Sequence, residues 1–204
     1  IKIISSDLLK QFKDNDDAKK DIDLLMNQIE RCSEILKKLS LNPTIEDDFI
    51  DRDLTMADYV NNIIKSFQEI SKKNFVINLD QNSNSLRITN SMEIVYGLRN
   101  FIGNANKFSK SKIFISIKSD SDLTEIIIED DGEGYSSDVL RKIGEPYIKS
   151  HKSSIKSKSG LGLGIFIGKT LLEKNYANIL CKNSQTRSGA EVSITWKNKD
   201  LLNL

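Results

Sequence analysis

Two cysteines, two prolines, one histidine and one tryptophan are all that 204 residues contain of those types. Cys32 and Cys181 stand far apart with no CxxC partner, so neither a zinc framework nor a disulfide pattern is indicated, and reduced thiols are the expectation. No apolar run approaches the ~20 residues that a membrane-spanning helix needs, and no signal peptide is read at the start. An excess of charge is missing too. Thirty Lys and Arg against 29 Asp and Glu leave a formal net charge of +1, which gives no case for a nucleic-acid stripe or a polyanionic partner. What is present in ordinary measure is 38% apolar and 29% charged residues, the composition of a globular protein. The length suits one core with an appendage or two small domains. The chain opens at Ile1 inside an amphipathic pattern, and the expectation is a piece of a longer protein.

Two regions differ in periodicity. Ile1, Ile4, Leu8 and Phe12 share one helical face, and Asp14-Asn15-Asp16-Asp17 then breaks the pattern with negative charge suited to a helix start. Ile22, Leu25, Ile29, Cys32, Leu36 and Leu39 alternate three and four apart, which is a heptad seam. The reading is an antiparallel helical hairpin over 1–42, too short to bury its stripe alone, that should dimerise or dock. Asn42-Pro43 ends it, and an acidic linker covers 43–54. The remainder, 55–204, reads as α+β. Helices are expected at about Met56–Ser71, Ser91–Phe108 and Ile165–Asn175. Strands are expected at Phe75–Leu79, Arg87–Thr89, around Ile113–Ile117 and Ile126–Ile128, and near Ile179–Cys181 and Ala190–Trp196.

Three elements in the second region carry chemistry. Beside the apolar stripe of the helix Ser91–Phe108 sit Asn100, Asn104 and Lys107, along one edge. Asparagine is a mediocre helix former; its neutral oxygen suits Mg²⁺, and a nearby ammonium suits phosphate, although a solvated polar face is the plainer alternative. In Ile126-Ile127-Ile128-Glu129-Asp130-Asp131-Gly132-Glu133-Gly134, a period of two puts Asp130 on the buried face of Ile126 and Ile128 and turns Asp131 away. An ionised carboxylate there could accept the exocyclic amine of adenine, with Gly132 and Gly134 letting the backbone lie against a flat ring. A simple Asp-Gly turn is the alternative. Gly160-Leu161-Gly162-Leu163-Gly164 opens into a helix, so bare amides at a helix start offer a phosphate seat; no Lys-Ser/Thr closes it as a Walker loop, and no strand precedes it. The polar, basic stretch from Lys149 to Ser159 has the composition of a lid.

The order Asn-xxx-Asn-xx-Lys, Asp-x-Gly-x-Gly, Gly-x-Gly-x-Gly resembles the N, G1 and G2 boxes of bacterial sensor histidine kinases, over Thr55 to Trp196. Gly144-Glu145-Pro146-Tyr147 stands at the F box, with Gly144 replacing the usual phenylalanine. Gln28-Ile29-Glu30-Arg31-Cys32, the segment Phe166 to Glu173 and Gly189-Ala190-Glu191-Val192 look like the RegB/PrrB redox-responsive kinases. The resemblance implies a Bergerat-type (GHKL) ATP-binding α/β sandwich with a mixed sheet, preceded by the dimerisation and phosphotransfer hairpin. It also implies that Asn104 ligates Mg²⁺, Asn100 supports the phosphate region, Lys107 contacts phosphate and Asp130 reads adenine. The rest of the ATP contact set it implies is Gly132, Gly134, Tyr147, Lys149, Gly160, Leu161, Gly162, Leu163 and Gly164. Related gyrase-type ATPases carry a water-activating glutamate where Asn100 stands, so hydrolysis should be slow here.

The implied activity is transfer of the γ-phosphoryl group of ATP to a histidine, then to a response-regulator aspartate. The implied setting is a homodimer joined through the hairpin, forming the cytoplasmic part of a bacterial inner-membrane protein. Membrane contact would come only through an N-terminal region outside this sequence. The family's acceptor histidine, on the first hairpin helix, is absent. His151, the single histidine, reads as a lid side chain, because a mobile loop does not hold an acceptor in line for attack. Cys32 sits on the seam, where a thiol either packs inertly or, as in RegB-like kinases, links two protomers on oxidation. The rival functions are a phosphotransfer protein with a degenerate nucleotide pocket, a related GHKL ATPase, and a serine kinase.

Overall fold

The structure is a computed structural model, and the residues it describes are 22, 24, 26, 54–68, 70–80, 86–88, 91–148 and 162–202. Contacts divide the chain into two units, Ile1–Asp47 and Asp48–Leu204. Of the first, Ile22, Leu24 and Met26 are described; all three are helical, and Leu24 is exposed. The expected hairpin otherwise lies outside the described residues, as do its seam residue Cys32 and the linker up to Asp53.

The second unit is α+β. Its order is β1 (Leu54–Thr55), α1 (Met56–Gln68), β2 (Asn74–Leu79), β3 (Arg87–Ile88), α2 (Met92–Phe108), β4 (Lys112–Ser119), β5 (Leu123–Asp130), α3 (Ser137–Lys142), α4 (Gly164–Lys174), β6 (Asn178–Asn183), β7 (Ala190–Lys197) and α5 (Asn198–Leu201). Five strands form one mixed sheet in the order β2-β4-β5-β7-β6, with β2 parallel to β4 and the other pairs antiparallel. β1 and β3 make a separate antiparallel pair, so Leu54, expected in the linker, is a strand residue opposite Ile88.

Alternation decides which face of the sheet is covered. Ile113, Ile115 and Ile117 of β4, Ile126 and Ile128 of β5, and Val192, Ile194 and Trp196 of β7 are all buried, while their neighbours along each strand are more exposed. α1 buries Val60, Ile63, Ile64 and Phe67, and α2 buries Ile94, Val95, Leu98, Phe101, Ile102 and Ala105, stripes of helical spacing that complete the core. Local signals start and stop the helices. Asp58 Oδ2 accepts from the Thr55 amide while Thr55 Oγ1 accepts from the Asp58 amide, a reciprocal cap for α1. Ser91 caps α2 by accepting from the Ile94 amide. α1 ends at Gln68 rather than Ser71, because the Ser71 hydroxyl takes the Lys73 amide and donates to Asn106 Oδ1 instead of pointing away from a continuing helix.

α2 and α4 pack closely along their length. A Cβ on Gly97 would lie 2.5 Å from Leu172 Cγ, and one on Gly168 would lie 3.0 Å from Phe101 Cε2. At the far end, Asn175 Oδ1 accepts from the Ser91 hydroxyl, and the Asn175 carbonyl accepts from the Trp196 indole. This ties α4 to both α2 and the sheet.

A single carboxylate organises the turn between α2 and β4. Asp131 Oδ1 accepts the amides of Lys110 (2.7 Å) and Ser111 (3.0 Å), while Oδ2 accepts the amides of Ser111 and Lys112 (3.0 Å each) and the Ser111 hydroxyl (2.6 Å). Desolvation works against the ionised form, yet the hydroxyl and the three amides together hold the Asp131 carboxyl far below the ordinary carboxylate range.

Trp196, the single tryptophan, is buried in this unit, so its fluorescence reports the unit's unfolding. Leu172→Ala is expected to lower the unfolding free energy by about 2–5 kcal/mol in a urea titration, since it empties a fully buried site between the two helices. A carboxyl whose pKa is lowered by folding adds stability above its unfolded value, about 3.9, and loses it as pH falls below that. Asp131→Asn is therefore expected to destabilise the unit at pH 7 and to flatten its loss of stability below about pH 4 in the same titration.

Candidate functional site

Asp130 closes β5 with a side chain only 3% exposed. Its Oδ1 accepts the Gly132 amide at 2.8 Å and the Ala190 amide at 3.3 Å, and its Oδ2 accepts nothing from any described residue. Burial pushes the carboxyl above its ordinary range; the two amides pull it back in part, and the charge of Asp131 adds to the rise. The backbone crowds round this group. A Cβ on Gly132 would lie 2.5 Å from the Phe108 carbonyl oxygen and 2.7 Å from Asp130 Oδ1, and a Cβ on Gly189 would overlap the Asp130 carbonyl and Oδ1. Only glycine lets the β6–β7 connection come this near.

Gly134 follows at φ 73, and the next residue is stapled to β6: Asn183 Oδ1 accepts the Tyr135 amide at 2.6 Å and Asn183 Nδ2 donates to the Tyr135 carbonyl at 2.9 Å. Burial first, then the nearby Cys181 and Asp130, push the Tyr135 phenol up. Cys181 itself is pushed up to about 11 by burial, with Lys169 working the other way, so its thiol stays protonated near neutrality and packs as a small apolar group.

α2 contributes the second cluster. Asn100 Nδ2 donates to the Tyr96 carbonyl at 2.8 Å, and the Asn104 side chain makes no hydrogen bond to a described residue. Both carboxamide oxygens meet the start of α4: a Cβ placed on Gly164 would lie 3.7 Å from Asn100 Oδ1 and 3.7 Å from Asn104 Oδ1. Leu163 is the N-cap of α4 and supplies no side-chain cap, so no side chain competes for the helix's first amides. Lys107 Nζ lies 5.1 Å from the centroid of the Phe108 ring, which is half exposed.

The sequence-predicted residues thus fall into two groups. Asn100, Asn104 and Gly164 are together, and Asp130 with Gly132 abuts the last residue of the same helix, Phe108. Gly162, at φ 72, lies with its α-carbon against the backbone of Ile148, where a Cβ would come 2.8 Å from the Ile148 nitrogen. Tyr147 is exposed and held at φ 65. Lys149, His151, Gly160 and Leu161 lie outside the described residues. Reasoning from sequence did not single out Gly189 or Asn183 as part of the site. Asn183's one signal was its place at the start of the loop joining two strands, while Gly189 stood out only within the RegB-like run Gly189-Ala190-Glu191-Val192. Among the described residues no three His, Cys, Asp or Glu side chains gather as a metal cluster.

The family model described as histidine kinase-, DNA gyrase B-, and HSP90-like ATPase matches residues 89–200, which contain both groups. The sensor histidine kinase RegB of Cereibacter sphaeroides is 29% identical over 215 residues, covering 96% of this chain and 46% of that protein, so the chain spans about half the length of the relative. The mycobacterial sensor histidine kinase MprB shares the fold at a TM-score of 0.61 and 17% identity, over 72% of this chain and 97% of that one. ShkA, solved full-length in complex with AMPPNP, does so at a TM-score of 0.60 and 16% identity, over 93% of this chain and 40% of that one. With the family model matched over more than half its length, the chain belongs to the histidine kinase-, DNA gyrase B- and HSP90-like ATPases, as a histidine kinase ATPase domain homologous to sensor histidine kinases.

Proposed function

We propose that the chain binds Mg²⁺-ATP between β5, the C-terminal half of α2 and the start of α4, and passes the γ-phosphoryl group to a histidine, from which it goes to a response-regulator aspartate. The observation that carries this reading is the approach of Asn100 Oδ1 and Asn104 Oδ1 to Gly164 at an uncapped helix start. Neutral hard oxygens beside the first residue of a helix suit a metal-bound polyphosphate.

Adenine belongs at Asp130. Its Oδ1 is engaged by two amides while Oδ2 is left to accept, so the carboxylate can take an exocyclic amine and would repel a carbonyl in the same place. Lys107 and the first amides of α4 meet the phosphates, with Gly162 carrying the chain into the helix. Asn104 is the side chain that would hold Mg²⁺. Its neutral oxygen fits the ion, and magnesium held there would supply positive charge to offset that of the polyphosphate. Asn100 cannot take a proton from water, so that position supplies no base for hydrolysis, which favours keeping the phosphoryl group for transfer. His151 belongs to the polar segment before Gly160 and is not the acceptor in this reading.

Three results test the assignment by titration with a fluorescent ATP analogue. Asp130→Asn keeps the amide contacts through its oxygen and turns a donor toward the adenine amine, so affinity is expected to fall roughly 10- to 100-fold. Asn104→Ala is expected to abolish the gain in affinity that Mg²⁺ gives the unaltered chain. Only the ionised carboxylate accepts through both oxygens, and folding raises its pKa, so affinity should be full at high pH and decline as pH falls through that raised value. Equal affinity of all three proteins for the analogue would defeat the assignment.

A further inference from the structure

The two groups of the site sit on different elements, the adenine carboxylate at the end of β5 and the phosphate-facing side chains on α2 and α4. One nucleotide can grip both only if their separation is fixed. The chain between them is short: α2 ends at Phe108, and β4, the partner of β5, begins at Lys112. Ile113 of β4 pairs with Asp130. Every backbone amide from Lys110 to Lys112 is taken by the carboxylate of Asp131, whose two oxygens accept five hydrogen bonds of 2.6–3.0 Å in all. The Asp131 amide donates in return to the Lys112 carbonyl at 3.3 Å. From the other side, Lys73 Nζ donates to the carbonyls of Ser109 and Lys110. The next residue, Gly132, is wedged between the Phe108 carbonyl and Asp130 Oδ1.

We propose that Asp131 is a positioning residue for nucleotide binding, which sets the distance between the base-reading Asp130 and the Asn104–Lys107 turn of α2 by clamping the turn that joins them. This rests on the Mg²⁺-ATP reading. Asp131 touches no nucleotide in this scheme; it acts through the backbone of residues 108–112. Three consecutive amides converging on one carboxylate make a nest of the kind that binds free anions, here filled by the protein's own side chain. A carboxamide cannot replace it. Asparagine offers one accepting oxygen, and its amino group would face donors that now meet Oδ1 or Oδ2.

The consequence is specific to ligands that span both groups. Two attachment points reinforce each other in proportion to how well their spacing is fixed. ATP spans them and adenosine uses only the β5 end. Loosening the clamp should therefore cost ATP much more than adenosine. Global destabilisation would act differently, since a smaller folded fraction lowers the apparent affinity of both ligands by the same factor.

The test is calorimetric titration of the full chain with ATP in Mg²⁺ and, separately, with adenosine. For Asp131→Asn the ratio of ATP to adenosine affinity is expected to fall about tenfold. Ser111→Ala removes one of the five bonds and leaves every amide in place; it is expected to lower the ratio about threefold, and it decides the matter if Asp131→Asn does not fold. A ratio unchanged in a folded variant overturns the role of Asp131 while leaving ATP binding intact. If the unaltered chain binds neither ligand, the Mg²⁺-ATP reading fails, and this inference with it.

Discussion

A carboxylate at the end of β5, all but sealed from water, sets the terms for the surrounding structure. Asp130 costs free energy in that position unless its oxygens are satisfied, and the fold provides two backbone amides, from Gly132 and Ala190, for one oxygen only. To bring those amides close, the chain needs glycine at 132 and 189, where any side chain would strike the Phe108 carbonyl or Asp130 itself. Meeting that need places the end of α2, the end of β5 and the start of β7 around one group. The oxygen left over is what the site has to offer a ligand.

The second constraint is the contact between α2 and α4. Gly97, Gly168 and Leu172 let the helices run close together, and Asn175 secures the far end to Ser91 and Trp196. Close packing fixes the near end by default, because rigid helices held at the middle and one end leave the other little freedom. That is how two asparagines on α2 come to face the first residue of α4. The arrangement of the proposed site therefore follows from how tightly the two helices pack.

Much of this was legible in the residues. The alternation through Ile126 and Ile128 put Asp130 on the covered face, and 3% exposure agrees with it. The stripe from Ile94 to Ala105 gave α2, with Asn100 and Asn104 at its edge, and the start of α4 at Gly164 lies one residue from the expected Ile165. Two helices were not anticipated: Ser137–Lys142 and Asn198–Leu201 span less than two turns, too few to establish a period of 3.6. Asn183 escaped notice and Gly189 was marked only within a RegB-like run, because an asparagine after a strand and a glycine before one look like ordinary turn residues. Their importance lies in what they touch, Tyr135 for Asn183 and Asp130 for Gly189, both far away in sequence.

The sequence by itself determined the longer elements, their covered faces and the chemical character of three segments, since these follow from periodicity and side-chain type within a few turns of chain. Only the tertiary structure decided that β2 joins the sheet in parallel beside β4, that Asp131 clamps the turn at 110–112, and that Asn100 and Asn104 meet Gly164. Those outcomes depend on contacts between residues far apart along the chain. No local pattern encodes them, because they are chosen by whichever packing buries the apolar stripes with most polar groups satisfied.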